Sequence, residues 1–437
     1  MLNYLNACGC VCGKKHHTDV DEVLIGGGVI SKLGGIVKRF GAKKVFLLAD
    51  ENTFAAAGEK VCATLSADGI AYSSYVFSDR HLEPDEKSVG SAIMHFDTSC
   101  DLIVGVGSGV INDIGKILSN VSGKKYIIVA TAPSMDGYAS ATSSMSRDGL
   151  KVSLNSRCAD VIIGDTDILK NAPEPLLKSG LGDMLAKYVS IAEWRIAHII
   201  TGEYYCEAVA QLIRSALKKC VDNASGLLAR KEEAVEAVFE GLVIGGVAMA
   251  YAGVSRPASG VEHYFSHIWD MRGLEFDTPV DLHGIQCAMG TLQAIRLYEK
   301  LIAYMPDAEK ANAYVNGFSY DDWKIRLRAF LGSSAETMIE QEKVEKKYDK
   351  TAHKSRFTKI AQNWDTILQI LQEELPSSEK LGEILDMVGI SRDLNTIGVD
   401  SNIAQMTFKA TKDIRDKYVL SKLAWDLGLL DELCELL

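Results

Sequence analysis

The chain has 437 residues, with 47 basic and 58 acidic side chains, a net charge of −11, and 47% hydrophobic residues. This length predicts two or three domains, each large enough for its own core. The acidic surplus excludes nucleic acid as the main partner and does not suit an anionic membrane surface. The longest apolar run, residues 241–254, is too short to cross a bilayer and predicts a buried core helix, so we expect no stable membrane insertion. Ten scattered cysteines, with no visible secretory signal, predict a cytoplasmic protein.

Short apolar strands alternate with helical patterns in the first part of the chain. The predicted elements are strands at 44–50, 71–77, 101–106 and 125–130, and helices at 53–67, 86–96 and 111–121. This alternation is typical of right-handed βαβ units, so it predicts a parallel sheet.

The pattern changes at Pro173 and Pro175, which mark a turn and a domain boundary. The helices predicted beyond them are 181–200, 204–224, 231–252 and 285–305. We therefore predict an α/β dinucleotide-binding domain over residues 1–173 and an all-α domain over residues 174–437.

A glycine-rich loop, Gly105-Val-Gly-Ser-Gly-Val-Ile-Asn-Asp-Ile-Gly-Lys116, follows one predicted strand and opens a helix. Glycines let the backbone approach a pyrophosphate, and the helix N-terminus supplies N–H groups for it. The loop matches neither the Rossmann fingerprint nor the P-loop. A turn that needs glycine only for its shape remains the alternative.

Two further features point to the same edge of the sheet. Asp50 ends a strand, where an acid binds the adenosine ribose in dinucleotide folds, although a helix N-cap explains it equally well. The loop Thr131-Ala-Pro-Ser-Met-Asp-Gly-Tyr-Ala-Ser140 follows the next strand and is rich in hydroxyl groups. Its alternative is an ordinary polar loop. Two such loops on successive strands favour a shared nucleotide site.

Histidines are grouped in the helical half. His263 and His267 lie at i and i+4 on one helix face, and His283 precedes the next helix. A histidine pair with one carboxylate is a common catalytic metal set, and Asp183 is the candidate carboxylate. The alternatives are packed or surface histidines, and a helix cap for Asp183.

The N-terminal Cys8-Gly-Cys10-Val-Cys12 segment is followed by His16 and His17. Its C-x-C-x-C spacing differs from the usual C-x₂₋₄-C of structural zinc. We therefore expect a mobile terminal segment that binds metal only adventitiously.

Five motifs occur in order, GVGSGVINDIGK, TAPSMDGYAS, SGLGDMLAKY, SGVEHYFSH and DLHGIQ. Together they resemble the bacterial branch of the sn-glycerol-1-phosphate dehydrogenases, within the group of iron-type alcohol dehydrogenases, glycerol dehydrogenases and dehydroquinate synthases. The resemblance covers about residues 20 to 430. It implies a dehydroquinate synthase-like architecture and reversible NAD(P)-dependent reduction of dihydroxyacetone phosphate to sn-glycerol 1-phosphate.

The resemblance also implies the site residues. NAD, or alternatively NADP, would be bound by Asp50, Gly107, Ser108, Gly109, Val110, Ile111, Thr131, Ala132, Pro133, Ser134 and Ser140. One divalent ion, zinc or nickel, would be held by Asp183, His263 and His283. Asp136, Asp183 and His267 would contact the substrate, with Asp183 and His267 as catalytic residues. Relatives are often homo-oligomers, so we expect at least a dimer.

Two departures and three rivals accompany this resemblance. One rival is a non-catalytic, ligand-sensing relative, against which the presence of Asp183, His263 and His283 argues. Ser108 stands where many relatives have glycine, and Val110 stands where they commonly have Lys or Thr. A glycerol or polyol dehydrogenase would lack a basic residue for the substrate phosphate, for which Arg256 and Lys187 are our candidates. A dehydroquinate-synthase-like cyclase would carry Glu where Asp183 stands.

Overall fold

The computed structural model describes residues 10–79, 81–147 and 150–437. Contacts divide the chain into two compact units, of which the first comprises the residues up to Met184 together with Gln211–Val254. The second comprises Leu185–Ala210 and Ser255–Leu437. The boundary predicted between residues 173 and 174 falls inside the first unit, because residues 174–184 and 211–254 pack with the N-terminal part of the chain.

The first unit contains a parallel sheet, as predicted. The strands of the chain are β1 Glu22–Gly26, β2 Lys44–Asp50, β3 Ala71–Phe77, β4 Leu102–Gly107, β5 Lys125–Ala130, β6 Thr142–Arg147, β7 Leu150–Asn155 and β8 Val161–Asp165. Six of them form one sheet in the order β1-β8-β5-β4-β2-β3, with every pairing parallel. All of β4 is buried, as expected for a central strand covered on both faces.

Helices fill the rest of the chain. The α-helices are α1 Leu33–Arg39, α2 Glu51–Thr53, α3 Glu59–Ala67, α4 Glu86–His95, α5 Gly109–Ser122, α6 Thr166–Leu169, α7 Glu174–Leu185, α8 Lys187–Thr201, α9 Glu207–Asn223, α10 Glu232–Ala252, α11 Val261–Phe276, α12 His283–Leu301, α13 Ala308–Asn316, α14 Tyr320–Leu331, α15 Ser334–Glu345, α16 Lys350–Gln362, α17 Trp364–Glu374, α18 Ser378–Met387, α19 Ser401–Thr411, α20 Leu420–Asp426 and α21 Leu430–Cys434. The second unit is helical over almost all of its length, so the predicted fold class is confirmed.

Several elements differ from the sequence predictions. The single helix predicted over 181–200 is two helices, α7 and α8, which meet at Ala186. A π-helical turn, Phe54–Gly58, separates α2 from α3 within the helix predicted over 53–67. The strands β1 and β8 and the antiparallel hairpin β6–β7 were not predicted. β6 is rich in Ser and Thr and therefore lacks the apolar run by which the other strands were recognised.

The longest apolar run lies in α10, as predicted for a core helix. By length and composition α10 qualifies as a membrane-crossing helix, but 78% of its most apolar window is buried within the protein. Phe239 on this helix packs edge-on against Tyr138, with ring centroids 5.2 Å apart. This face of α10 thus contributes to the core of the first unit.

Candidate active site

The strand order places the glycine-rich loop at a topological switch point. This point lies between the neighbouring strands β2 and β4. From β2 the chain continues to β3 on one side of the sheet, and from β4 it continues to β5 on the other side. Open α/β sheets bind ligands in the crevice at such a point, outside the carboxyl ends of the strands. β4 ends at Gly107 and α5 begins at Gly109, so this loop lies at the carboxyl edge.

The start of α5 fits a pyrophosphate group. Ser108 is the N-cap and makes no side-chain capping bond. Gly109 and Val110 are partly exposed, whereas Ile111 is buried. The first N–H groups of a helix have no acceptor within the helix, and the helix dipole adds positive potential there. Because backbone groups make this cradle, neither Ser108 nor Val110 obstructs it.

Asp50, at the end of β2, is a helix N-cap. Its Oδ1 accepts hydrogen bonds from the N–H groups of Asn52 and Thr53, both at 2.9 Å. The Thr53 hydroxyl in turn accepts from the Asp50 N–H at 3.0 Å, which completes a capping box. Of the two functions considered for Asp50, the structure shows capping directly. A bond to ribose stays a prediction.

The second loop, Thr131 to Ser140, is fixed by hydrogen bonds within the first unit. Thr131 donates its N–H to Gly107 O at 3.1 Å, which ties this loop to the glycine-rich one. Ser134 O accepts from the Ser179 hydroxyl at 2.9 Å. Residues 131–134 are buried, and Ser140 is partly exposed. The two predicted cofactor loops are therefore adjacent.

Lys116 holds the far end of this loop, a role that the sequence analysis did not assign. It is fully buried, and its Nζ donates to Gly137 O at 3.2 Å and to Thr142 O at 2.5 Å. Asp113 balances its charge at 2.8 Å. The signal was available, because Lys116 ends the glycine-rich motif on an otherwise apolar helix, three residues after Asp113.

Asp136 and Asp183 lie side by side in the first unit. The Asp136 N–H donates to Asp183 Oδ2 at 2.9 Å. Asp183, on α7, is fully buried, whereas Asp136 is partly exposed. A buried carboxylate is costly unless it is hydrogen-bonded or coordinates a metal, so this position is typical of a functional acid.

The three histidines of the second unit form one cluster. His263 and His267 lie on α11, and His283 is the first residue of α12. Ring centroids are 5.2 Å apart for His263 and His283, 5.8 Å for His267 and His283, and 6.4 Å for His263 and His267. The spacing predicted from sequence is therefore realised in space within this unit.

Neighbouring groups orient two of these rings. His263 Nδ1 lies 2.9 Å from Glu262 Oε1, and His283 Nδ1 lies 2.9 Å from the Ser266 hydroxyl. With Nδ1–H as the donor in each bond, Nε2 carries the lone pair. Metal-ligating histidines commonly donate their other N–H to a carboxylate or another acceptor in this way.

The cluster contains a thiol that sequence reasoning missed. Cys287 Sγ lies 3.6 Å from His283 Nε2, and the ligand atoms of His263, His283 and Cys287 all lie within 4.8 Å of one another. The i, i+4 spacing of His283 and Cys287 was the available signal. Imidazole nitrogens with an adjacent thiol suit zinc and similar ions, so these residues fit the divalent metal that the resemblance implies.

Two buried acids, Glu193 and Glu262, lie at the start of α11 near His263. Glu193 accepts hydrogen bonds from the N–H groups of Val261 and Leu420 at 2.9 and 2.7 Å. Burial, reinforced by the nearby Glu262, raises the pKa of Glu193 to about 8. In the part of the chain that the structure describes, Glu262 Oε2 has no hydrogen-bond partner. At neutral pH Glu193 is therefore mostly protonated, and it adds little negative potential next to the imidazole that would bind a cation.

Neither predicted phosphate-binding residue is suited to that role. Arg256 is buried, and its Nη2 and Nε bind the two oxygens of Glu203 at 2.6 and 2.8 Å. Lys187 is fully buried and donates to Ala258 O at 2.9 Å. Both cations already serve the fold, so the prediction for Arg256 and Lys187 is not supported.

Two other basic residues lie close to the histidine cluster. Burial lowers the pKa of His267 well below its usual value, and the charges of Arg415 and Lys417 lower it further. Arg415 and Lys417 are partly exposed and follow α19. Burial also lowers the pKa of Lys417 to about 7. Sequence reasoning missed both, because nearly 150 residues separate them from His267.

Residues 24–173 match the family model described as iron-containing alcohol dehydrogenase. The chain is 33% identical to a glycerol-1-phosphate dehydrogenase (NAD(P)+) of Halalkalibacterium halodurans over 297 residues, 67% of this chain and 74% of that protein. It is 27% identical to the corresponding protein of Geobacillus thermodenitrificans over 92% of each chain. Among solved structures, a probable glycerol dehydrogenase from Sinorhizobium meliloti 1021 superposes with a TM-score of 0.61 at 17% identity, over 96% of this chain and 98% of that one.

Proposed function

Because this chain belongs to the glycerol-1-phosphate dehydrogenase family, we propose that it catalyses the reversible NAD(P)-dependent reduction of dihydroxyacetone phosphate to sn-glycerol 1-phosphate. The observation that carries the substrate is the positive charge of Arg415, which acts on His267 of the histidine cluster in the second unit. A phosphorylated ketone needs cations close to the group that polarises its carbonyl, and this unit offers both.

The nicotinamide cofactor supplies the hydride when it is bound. We propose that it is bound by Asp50, Gly107, Ser108, Gly109, Val110, Ile111, Thr131, Ala132, Pro133, Ser134 and Ser140. The partly exposed start of α5 and the hydrogen bond between the two loops support this assignment. Either NAD or NADP is proposed as the cofactor.

A divalent ion, zinc or nickel, supplies Lewis acidity toward the substrate oxygen when it is bound. We propose Asp183, His263 and His283 as its ligands. The orientation of both imidazoles by Glu262 and Ser266 supports the histidine assignments. The burial of Asp183 supports the third.

His267 and Asp136 take the remaining roles in this proposal. The lowered pKa keeps His267 neutral near pH 7, so its ring is able to accept or donate a hydrogen bond at the substrate hydroxyl. Asp136, whose N–H is held by Asp183, would bind the same substrate through its side chain. Asp183 thus combines metal binding with positioning of Asp136.

The substrate assay is the direct test. Metal-loaded protein is mixed with NADH and either dihydroxyacetone phosphate or unphosphorylated dihydroxyacetone, and the chirality of the product is determined. We expect NADH oxidation with the phosphorylated substrate and sn-glycerol 1-phosphate as the product. Turnover with dihydroxyacetone alone would instead identify a polyol dehydrogenase, the second candidate on this scaffold.

Arg415→Ala tests the phosphate assignment. We expect a raised KM for dihydroxyacetone phosphate and little change with a small unphosphorylated ketone, because only the phosphorylated substrate loses an ion pair. Arg392→Ala is the matched control, since Arg392 is a partly exposed arginine of the same unit whose partner is Asp386. Equal loss with both substrates would remove Arg415 from the phosphate site.

We further propose a homo-oligomer, with a dimer favoured, that acts in the cytoplasm on a small phosphorylated substrate and not on nucleic acid. Sedimentation of the metal-loaded protein tests the oligomeric state.

A further inference from the structure

A second set of metal-type ligands lies near the N-terminus, within the first unit. The ligand atoms of Cys10, Cys12 and His16 all lie within 4.8 Å of one another, and Cys12 Sγ is 3.4 Å from His16 Nε2. The Gly13 N–H donates to Cys10 O at 2.9 Å, and Gly13 has a φ of +80°, which glycine adopts without strain. This turn closes the segment that carries both thiols. Cys8, the third cysteine of the motif, lies outside the described residues.

His16 is fixed in the orientation that a metal ligand requires. Its side chain is buried, and its Nδ1 lies 2.9 Å from Tyr251 O in the last turn of α10. The last carbonyl groups of a helix lack partners within the helix, so Tyr251 O is an acceptor and Nδ1 carries the proton. Nε2 then carries the lone pair, and it is the atom that faces Cys12 Sγ.

We propose that Cys10, Cys12 and His16 bind one zinc ion at a structural site that is separate from the histidine cluster of the second unit. Two thiolates and an imidazole are typical zinc ligands. Tetrahedral zinc with Zn–S of about 2.3 Å and Zn–N of about 2.0 Å places sulfur and nitrogen about 3.5 Å apart. The 3.4 Å between Cys12 Sγ and His16 Nε2 matches this separation.

This proposal departs from the expectation of a mobile segment that binds metal only adventitiously. An adventitious site on a mobile terminus does not need a buried histidine held by a carbonyl group of a core helix. A zinc ion here would anchor residues 10–16 to the end of α10. Its role is therefore stability rather than hydride transfer.

The rival explanation is that His16 only caps α10, while Cys12 donates a weak hydrogen bond to it. The two explanations differ in the metal content and in the atoms around the metal. Zinc is therefore measured in full-length protein carrying His263→Ala and His283→Ala, which removes the proposed catalytic ligands. After dialysis against zinc-free buffer, we expect one zinc per chain, with two or more sulfur atoms at about 2.3 Å by X-ray absorption.

Adding Cys10→Ser and Cys12→Ser to that protein should reduce zinc to background. Cys62→Ser is the matched control, because Cys62 is a partly buried thiol of the same unit outside the cluster, and it should leave zinc unchanged. In the otherwise natural chain, Cys10→Ser with Cys12→Ser should lower Tm and leave the rate of NADH oxidation unchanged.

Three results would overturn the proposal: zinc retained after both serine substitutions, only nitrogen and oxygen around the zinc, or a Cys10–Cys12 disulfide in thiol titration of the purified protein. X-ray absorption counts the sulfur atoms around the zinc without any cysteine variant, so it tests the proposal even if the serine variants fail to fold.

Discussion

At the scale of single residues, the histidine cluster depends on groups that do not touch substrate. Glu262 orients His263 through a 2.9 Å bond to Nδ1 and also accepts from the Gly260 N–H at 2.6 Å. One carboxylate thus fixes both the ring of His263 and the start of α11. Its charge also strengthens the imidazole as a ligand.

We expect Glu262→Gln to weaken metal binding about 10- to 100-fold, the usual effect of removing the partner of a metal-binding histidine. Titration of apoprotein with zinc under competition from a chelator measures this change. Glu275→Gln, at a partly exposed position of the same helix, should bind metal as the natural chain does. Equal affinity in both variants would show that Glu262 does not tune the site.

Lys422 makes stability depend on pH. It is buried, it donates to Lys347 O at 2.6 Å, and burial lowers its pKa from 10.5 to about 7, with Asp426 opposing this change. Between pH 7 and 10.5 the unfolded chain therefore binds more protons at this site than the folded chain. The free energy of unfolding should rise with pH in that range.

We expect Lys422→Met to reduce that rise by at most about 1.4 kcal/mol per pH unit between pH 7 and 9. Denaturant unfolding at several pH values measures the slope. Lys409→Met is the control, because Lys409 lies toward the surface with Asp431. An unchanged slope in Lys422→Met would mean that this lysine stays charged in the folded protein.

Sequence reasoning at this scale found residue types but not their partners. Spacing identified His263 and His267, because i and i+4 positions share a helix face. It assigned the phosphate role to Arg256, whose partner Glu203 is 53 residues away. Arg415 was missed for the same reason, since its proximity to His267 depends on tertiary packing.

At the scale of elements, α7 packs very closely against the second cofactor loop. A Cβ atom at Gly180 would lie 1.8 Å from Pro133 O. This oxygen belongs to the backbone, so it cannot move away by a side-chain rotation. Glycine at this position therefore lets the helix approach the loop. Ser179, its neighbour on α7, donates to Ser134 O in the same loop.

We expect Gly180→Ala to lower the free energy of unfolding by at least about 1–3 kcal/mol, the usual effect of overpacking, and to raise KM for NADH by displacing the loop. Gly90→Ala is the matched control, because Gly90 lies within α4 and an added Cβ would meet no atom within 4 Å. That control should gain about 0.5–1 kcal/mol from helix propensity. Normal stability and KM in Gly180→Ala would show that the loop moves easily.

Elements with strong apolar patterns were predictable. β2, β4 and β5 lie where the alternation placed them, because each is a mainly buried run bounded by turns. β3 also lies where it was predicted, although only Phe77 of this strand is buried. The hairpin β6–β7 was missed, since pairing between its strands and not an apolar pattern defines it. The division of 181–200 into α7 and α8 has no sequence signal that we recognise.

At the scale of the whole molecule, the net charge of −11 opposes the binding of an anionic substrate and cofactor. Binding must therefore depend on local groups, such as the start of α5 and Arg415. Long-range steering contributes little when the overall field has the wrong sign. This balance was visible in composition, but the responsible groups were not.

Metal should stabilise the folded chain by mass action. At a free concentration of 100 times Kd, one bound ion adds about 2.7 kcal/mol to the free energy of unfolding. We expect chelation to lower Tm and added zinc or nickel to raise it in a concentration-dependent way. Thermal unfolding followed by circular dichroism measures both. A Tm that does not change with the metal concentration would contradict metal binding to the folded chain.

The first unit is assembled from two separate stretches of chain, residues up to Met184 and then Gln211–Val254. A ribosome emits residues in order, so the early sheet leaves the exit tunnel well before α10 can cover it. The nascent chain therefore carries exposed apolar surface while residues 185–254 are being made. We expect this interval to be the stage of synthesis at which the protein most needs chaperones.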